Sequence, residues 1–419
     1  MIIRSITLGI NHEGTDILAL QDEIEKFFVE ANSMFCEQGM EVRTQRIGLS
    51  PFSIKSEEDS EIALSTVNLT SQLCNNLDIR WFAVPFLTIG QNLTKINTVA
   101  LDIMKQYKNT FINFMASENN HIDRQGIIHS AQFIRDVSQL SDNGFDNFRC
   151  GVSFNTKPNG AFFPFMHHDG ENGFSIALEL ILPIVDVIKN SQNKDLEGLR
   201  IEIMGGLIQI LSKVDDICRN IEKSTGMKYF GIDASLAPHP ERPDCSIGYL
   251  VELLGVKCFG NSGTIFMASF LTDIIKSVVK RSGIRATGFN GVMYSVLEDH
   301  GLGKVGSEPD GLPISQLLAL SAICGCGIDM VPVPGDISQN EIASIMLDVA
   351  AKATWLGKPL GVRLLPIPGK DVGDMTNFKH DFFINTRVQG TNKNQGMDVI
   401  FDSKKSFIYS RDERSDSKN

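Results

Sequence analysis

Apolar and polar positions along the chain follow two alternating rhythms. Ile2 to Gly9, rich in β-branched residues, predicts a strand. Asp16 to Gln38 repeats Leu18, Leu20, Ile24, Phe27, Phe28, Ala31 and Phe35 at helical spacing until Gly39 stops it. Glu41 to Ile47 alternates as a second strand. Helices are predicted over Glu58 to Leu77, Ile96 to Tyr107 and Arg124 to Leu140, and strands over Ile79 to Phe86, Thr110 to Ala116 and Asn147 to Phe154. This alternation is the pattern of an α/β fold built from βα units. Thr156 to Gly173, TKPNGAFFPFMHHDGENG, breaks the rhythm and is too apolar for a solvent linker. Two helices should follow, Gly173 to Lys189 and Leu196 to Lys223.

Between Tyr229 and Asp374 the pattern changes to apolar runs that each stop in a loop rich in Gly, Pro, Asp, Ser or Cys. The loops begin at Gly231, Phe259, Phe289, Ser321 and Leu364. Loops at the ends of buried strands are where α/β proteins concentrate reactive polar groups, because the strands fix position and the loops supply chemistry. An enzyme-like pocket is the expectation.

Composition narrows the class. With 42% hydrophobic and 21% charged residues, the 419-residue chain reads as an ordinary globular protein, and its formal charge of -11 disfavours nucleic-acid or anionic-membrane partners. No secretory signal or membrane span stands out. The eight cysteines are mostly far apart, which suits reduced thiols in the cytoplasm. Without repeats, linkers or a composition break, residues 1–403 read as one domain, followed by a charged tail, 404–419, that should fray.

Candidate chemistry lies mainly in the loops. Asp233, Glu298, Asp299, Asp329, Asp336 and Asp374 sit at or near the ends of apolar runs, where convergent carboxylates could share protons or bind Mg²⁺ or Ca²⁺. Asp233 and Asp336 are the leading acid/base residues, with Glu298 as a third metal ligand; structural capping is the competing role. Ser235 and Thr264 are hydrogen-bond donors. GNSGT, Gly260 to Thr264, opens a helix predicted over Ile265 to Lys280 and could hold an anion through Gly263 and Thr264, with Arg285, Arg363 and Lys370 as counter-charges. It matches neither nucleotide-loop pattern, so no nucleotide cofactor is indicated. Cys324 and Cys326 flank Gly325, and Cys324 is a candidate thiol; a lone CxC lacks the second pair of a structural zinc site. Of His167 and His168, only one would face a common ligand, and His168 is taken as the candidate.

The segments GIDASLAP, GNSGT, GVMYSVLED, SAICGCGIDMVPVPGD, LDVAAKATWLGKPL and RLLPIPGKDVGDM resemble, in order, the family called domain of unknown function 711, or UPF 0210. The resemblance runs from IRSITLGIN to about Thr376. It implies a large single-domain α/β barrel similar to pyruvate formate-lyase and anaerobic ribonucleotide reductase, and no particular activity. It also draws attention to Arg387-Val388-Gln389-Gly390, which resembles the motif that carries the radical glycine of glycyl radical enzymes, although Thr391 departs from it.

The expectation is therefore a cytoplasmic enzyme, a homo-oligomer, acting on a small anionic metabolite by acid/base chemistry with or without a divalent metal. Two alternatives are a radical enzyme using Gly390 and Cys324, and a non-catalytic metabolite-binding protein on the same scaffold.

Overall fold

A computed structural model describes residues 1–118, 121–192, 195–391, 401 and 407–408. The first half forms βα units: β1 (Ile2–Ile10), α1 (Gln21–Glu37), β2 (Glu41–Val42), β3 (Gln45–Leu49), α2 (Glu57–Asn76), β4 (Trp81–Leu87), α3 (Leu93–Gln106), β5 (Thr110–Met115), the hairpin β6 (Ser117–Glu118) and β7 (His121–Ile122), α4 (Arg124–Ser138) and β8 (Cys150–Phe154). The second half holds β9 (Gly173–Leu178), α5 (Ile181–Asn190), α6 (Leu196–Thr225), β10 (Lys228–Asp233), α7 (Ile247–Leu253), α8 (Thr264–Ser282), α9 (His300–Gly306), α10 (Ile314–Ser321), β11 (Gly327–Pro334), α11 (Gln339–Leu356) and β12 (Leu360–Ile367). Of the tail expected to fray, only β13 (Phe407–Ile408), antiparallel to β7, is within the described residues.

One large sheet organises the chain, in the order β10-β9-β1-β3-β4-β5-β8-β12-β11, with β2 beside β1. Strands β1, β3, β4, β5 and β8 run parallel to one another, and β9, β10, β11 and β12 run the opposite way, meeting the first set at β1–β9 and β8–β12. The fold is thus a mixed α/β domain on a mostly parallel sheet. As a ladder of strands it ends at β10 and β11. Segment 286–295 touches those ends through isolated parallel bridges, Ile232 to Ala286, Leu236 to Val292 and Ser295 to Asp329.

Helices cover one face of the sheet: α2 packs on β4, α3 on β5, α4 and α11 on β8 and β12, and α6 on β10. Capping fixes their ends; Ser56 with Asp59 opens α2, and Ser338 with Glu341 opens α11, each as a reciprocal capping box. The other face is lined by the loop 156–172, and the sequence makes room for it. Strand positions on that face are small: Ser5, Thr7 and Gly9 on β1, Gly48 on β3, Ala83 on β4, Gly151 on β8 and Gly361 on β12. A β-carbon at Gly151 would lie 2.5 Å from Pro164 Cγ, and one at Gly361 would lie 2.5 Å from Phe165 Cε1. Gly9 lies equally tight against His168, and Gly48 against Met166. Four glycines on four strands therefore form a track for Pro164 to His168.

The structure departs from the sequence reading at Gly173 to Lys189, which was expected to be one helix. Its first part is β9, buried between β1 and β10 with every residue covered, and only Ile181–Asn190 is helical. A strand buried on both faces is a continuous apolar run, which periodicity cannot separate from a buried helix.

Candidate functional site

Three adjacent parallel strands carry an arginine at or next to their start: Arg4 in β1, Arg46 in β3 and Arg80 just before β4. Because β1, β3 and β4 are neighbours, residues about 40 positions apart in sequence converge at one edge of the loop-lined face. They surround a cavity of about 140 Å³ together with Arg43, Arg363 and the rings of Trp81, Phe111, Phe148, Phe163, Phe165 and Phe382. That space is comparable to one that accepts a benzene ring.

Each arginine is held differently. Arg43 pairs with Glu179 at 2.7 Å. Arg4 Nη1 donates to the Pro238 carbonyl at 2.8 Å, and Arg46 Nε donates to Thr44 Oγ1 at 3.1 Å with its guanidinium 5.2 Å from the Phe163 ring centre. Arg80 lies between Trp81 and Phe382, 4.9 and 4.6 Å from their ring centres. Among the described residues Arg4, Arg46 and Arg80 form no ion pair. Burial, reinforced by neighbouring guanidiniums, lowers Arg46 to about 9; burial also lowers Arg4 and Arg80. These are cations kept in an environment that disfavours their charge.

The opposite wall carries carboxylates. Arg363 donates from Nε and Nη2 to Asp329 at 2.6 and 2.9 Å and from Nη2 to Glu298 at 2.9 Å. Ser295 Oγ donates to the same Glu298 carboxylate. Burial pushes the Asp329 carboxyl up against the pull of Arg363, while the two carboxylates outweigh burial and keep Arg363 firmly protonated. Strand irregularities aim these groups. The β11–β12 register slips between Ile328 and Val331, setting Asp329 and Met330 opposite Arg363, with Met330 at φ 50°. The β1–β9 register slips at Arg4, between Ile3 and Ser5. Bulges of this kind re-aim side chains at the cost of local pairing.

Five guanidiniums line the cavity against Glu298 and Asp329, and Glu179 adds one more carboxylate through Arg43. Two positive charges are left over among the described residues. Such a wall suits an anion with an apolar body, and the Ser295–Glu298–Arg363–Asp329 chain can hold or move a proton beside it.

The residues singled out from sequence divide around this cavity. Glu298, Asp329 and Arg363 line it. Cys326 also lines it, whereas Cys324 is buried behind it. Asp233 is fully buried and accepts from Ser235 N and Oγ, Phe289 N and Asn290 N at 2.6–3.0 Å, so it clamps the turn after Thr287 to the end of β10. Ser235 extends that clamp, accepting from Gly291 N. Asp336 is exposed in the turn after β11, roughly 20 Å of chain beyond Asp329. Lys370 lies in the turn after β12, where its carbonyl accepts from Gly335 N, so it does not join Arg363. Asp299 caps α9 from a buried position, and Asp374 is exposed.

Other expected partnerships are also not formed. Asp233, Asp336 and Glu298 do not meet as a metal site; no group of three or more metal-ligating side chains occurs among the described residues. Thr264 Oγ1 accepts from Gly260 N and Gly263 precedes α8 at φ 102°, closing the GNSGT turn on itself, away from the cavity. Arg285 is engaged by Glu222. His168 is buried under Gly9 with Nδ1 2.7 Å from Asn159 Oδ1, and burial lowers it to about 4. Gly390 accepts at its carbonyl from Ile314 N, the opening residue of α10, while Cys324 lies past the other end of that helix, roughly 15 Å away.

Arg4, Arg43, Arg46 and Arg80 were not foreseen. The signal was a basic residue at the head of successive apolar runs, in IIRSIT, TQRIGL and DIRWF, which becomes meaningful once those runs are parallel neighbours.

Comparison with known proteins agrees with the motif resemblance. The model of a family described as "Uncharacterised ACR (DUF711)" matches residues 1–387. A UPF0210 protein of Methanopyrus kandleri is 26% identical over 397 residues, covering 89% of this chain and 87% of that protein. One of Pyrobaculum aerophilum is 27% identical over 397 residues, with 89% and 86% covered. One of Neisseria meningitidis is 24% identical over 396 residues, with 90% and 87% covered.

Proposed function

The chain belongs to the uncharacterised DUF711 family, and from that premise and the geometry of the arginine-lined cavity we propose that it binds a small dianionic metabolite and acts on it by proton transfer. The observation that carries this reading is the convergence of Arg4, Arg46 and Arg80, none in an ion pair among the described residues, on a cavity lined by aromatic rings. Desolvated, mutually repelling guanidiniums are an unfavourable arrangement that a bound anion would relieve. The two unneutralised charges favour a dianion, a dicarboxylate or a phosphate monoester, over a monoanion. A body near the size of a benzene ring fits the apolar part of the wall.

In this reading Arg46 and Arg80 bind the charged ends, Arg4 supports the site from the bulge in β1, and the rings exclude water. Glu298, fixed by Ser295 and Arg363, is the base nearest open space, and Asp329 holds Arg363 in place beside it. The expected barrel is supported by the three bridges of segment 286–295, which would join β10 to β11 and enclose the cavity and the glycine track.

Isothermal titration of the intact protein with matched mono- and dicarboxylates, and with phosphate monoesters, tests the binding part. Saturable binding at least tenfold tighter for dianions, weakened in Arg46→Met, is the expected result. Equal affinity for monoanions and dianions, or no effect of Arg46→Met, would refute it. Glu298→Gln then separates catalysis from binding, since it should keep the ligand and lose turnover.

A further inference from the structure

The acid/base reading leaves one reactive cluster unused, the pair Cys324 and Cys326. Gly325 between them packs directly against Gly291, so the backbone turns tightly there. Their side chains interact with each other. Cys326 Sγ also donates to the Val292 carbonyl at 3.5 Å, and Cys324 Sγ to the Gly327 carbonyl at 3.9 Å. Both are buried, but Cys326 lies in the cavity wall beside Asp329. Lys358, held to the Ala322 carbonyl at 3.0 Å, places a positive charge near Cys324.

We infer that Cys324 and Cys326 are a redox-active dithiol that exchanges with small disulfides entering the cavity, Cys326 as the entry sulfur and Cys324 as the resolving one. Residues two apart in a tight turn place their Cα atoms about 5–7 Å apart, within the range a disulfide spans. Burial raises the Cys324 thiol, but the Cys326 S–H, nearby backbone amides and Lys358 outweigh it and bring it down to about 7, whereas Cys326 is raised by the same contact. Cys324 is thus the more acidic thiol, and its thiolate can take the proton of Cys326.

The exchange balances without a further reagent. As its proton passes to Cys324, Cys326 sulfur attacks one sulfur of RSSR; the S–S bond breaks and RS⁻ leaves. The departing RS⁻ takes the proton from Cys324, whose sulfur then attacks Cys326 and displaces the second RS⁻, which is protonated by solvent. The pair gives up two electrons and its one proton, solvent supplies the second proton, and RSSR becomes two RSH. Such a short ring is strained and readily reduced, which suits a reversible site rather than a structural crosslink.

The small disulfide 2-hydroxyethyl disulfide, applied to the full-length folded protein, is the probe, followed by alkylation of remaining thiols, tryptic digestion and mass spectrometry. Cys324 and Cys326 fall in one peptide, ending at Lys352. That peptide is expected to lose two hydrogens, resist alkylation and recover with dithiothreitol. Exposed Cys36 should become a mixed disulfide and show that the reagent acted. Cys324→Ser should stop at a hydroxyethylthio adduct on Cys326, and Cys326→Ser should leave Cys324 unmodified. Full alkylation of both cysteines while Cys36 is modified, or a bond from either to another cysteine, would overturn the inference.

Discussion

Replacing Arg46 by methionine should make the protein more stable and less able to bind its ligand. Methionine keeps an apolar stem over Phe163 but removes the guanidinium, whose charge is disfavoured by burial and by Arg4, Arg43 and Arg363. Arg46 lowered from 12.5 to about 9 corresponds to an upper bound of about 5 kcal/mol stored against the folded state. The side chain is only partly buried, and screening by water reduces the recoverable part to about 1–2 kcal/mol. A gain of that size raises Tm by about 1–2 °C in a domain of this length, roughly 1 °C per kcal/mol. The charged form is the disfavoured one, so the gain should persist through the neutral range and fade only as pH rises past about 9. Binding loses a charge-assisted hydrogen bond worth about 1.5–3 kcal/mol, a fall of tenfold or more in affinity. Differential scanning calorimetry of the ligand-free protein and titration with a dianion read the two effects separately. A lower Tm with unchanged affinity would mean that Arg46 is a structural residue, and the anion-site argument would fail.

Three further outcomes follow from the described contacts. Gly151→Ala should cost about 1–3 kcal/mol or more in urea unfolding, because its β-carbon meets Pro164 and Phe165, whereas Gly205→Ala, on open space in α6, should gain about 0.5–1 kcal/mol; equal effects would contradict the glycine track. Asp233→Ala should destabilise by about 3 kcal/mol by orphaning buried donors, and Asp336→Ala should fall within about 0.5 kcal/mol of wild type, the two being distinguishable by thermal melting. His167 and His168 are held near 4 by burial, below the 6.5 of an exposed imidazole, so protons bind preferentially to the unfolded chain. Their contribution is complete above about pH 6.5 and is lost as pH falls toward 4, about 3 kcal/mol for each. A urea midpoint flat from pH 7.5 to 4.5 would contradict this.

Much of the fold was legible because its first half obeys simple periodicities. α1, α2, α3 and α4 lie close to where apolar spacing and stop signals place them, since each has one buried face. β9 escaped because both its faces are covered. The site was legible in its carboxylates and in Arg363, which lie in loop-rich segments, but not in its other arginines. Arg4, Arg46 and Arg80 look like ordinary charged residues until sheet order brings their strands together. Asp233 shows the converse: a loop carboxylate that resembled a catalytic acid satisfies backbone donors instead.

The glycine track also bears on how the chain is made. During synthesis β1 to β8 emerge as a half-sheet whose helix-free face carries the glycine track, and the loop that covers it follows at once, before β9 to β12 arrive to enclose it. A chain stopped near Gly170 would hold the filling without the second wall, and a chain begun there would have the wall without the filling. Neither piece could complete its interior alone, so cooperative stability should appear only when the ribosome has released the strands on both sides of the loop.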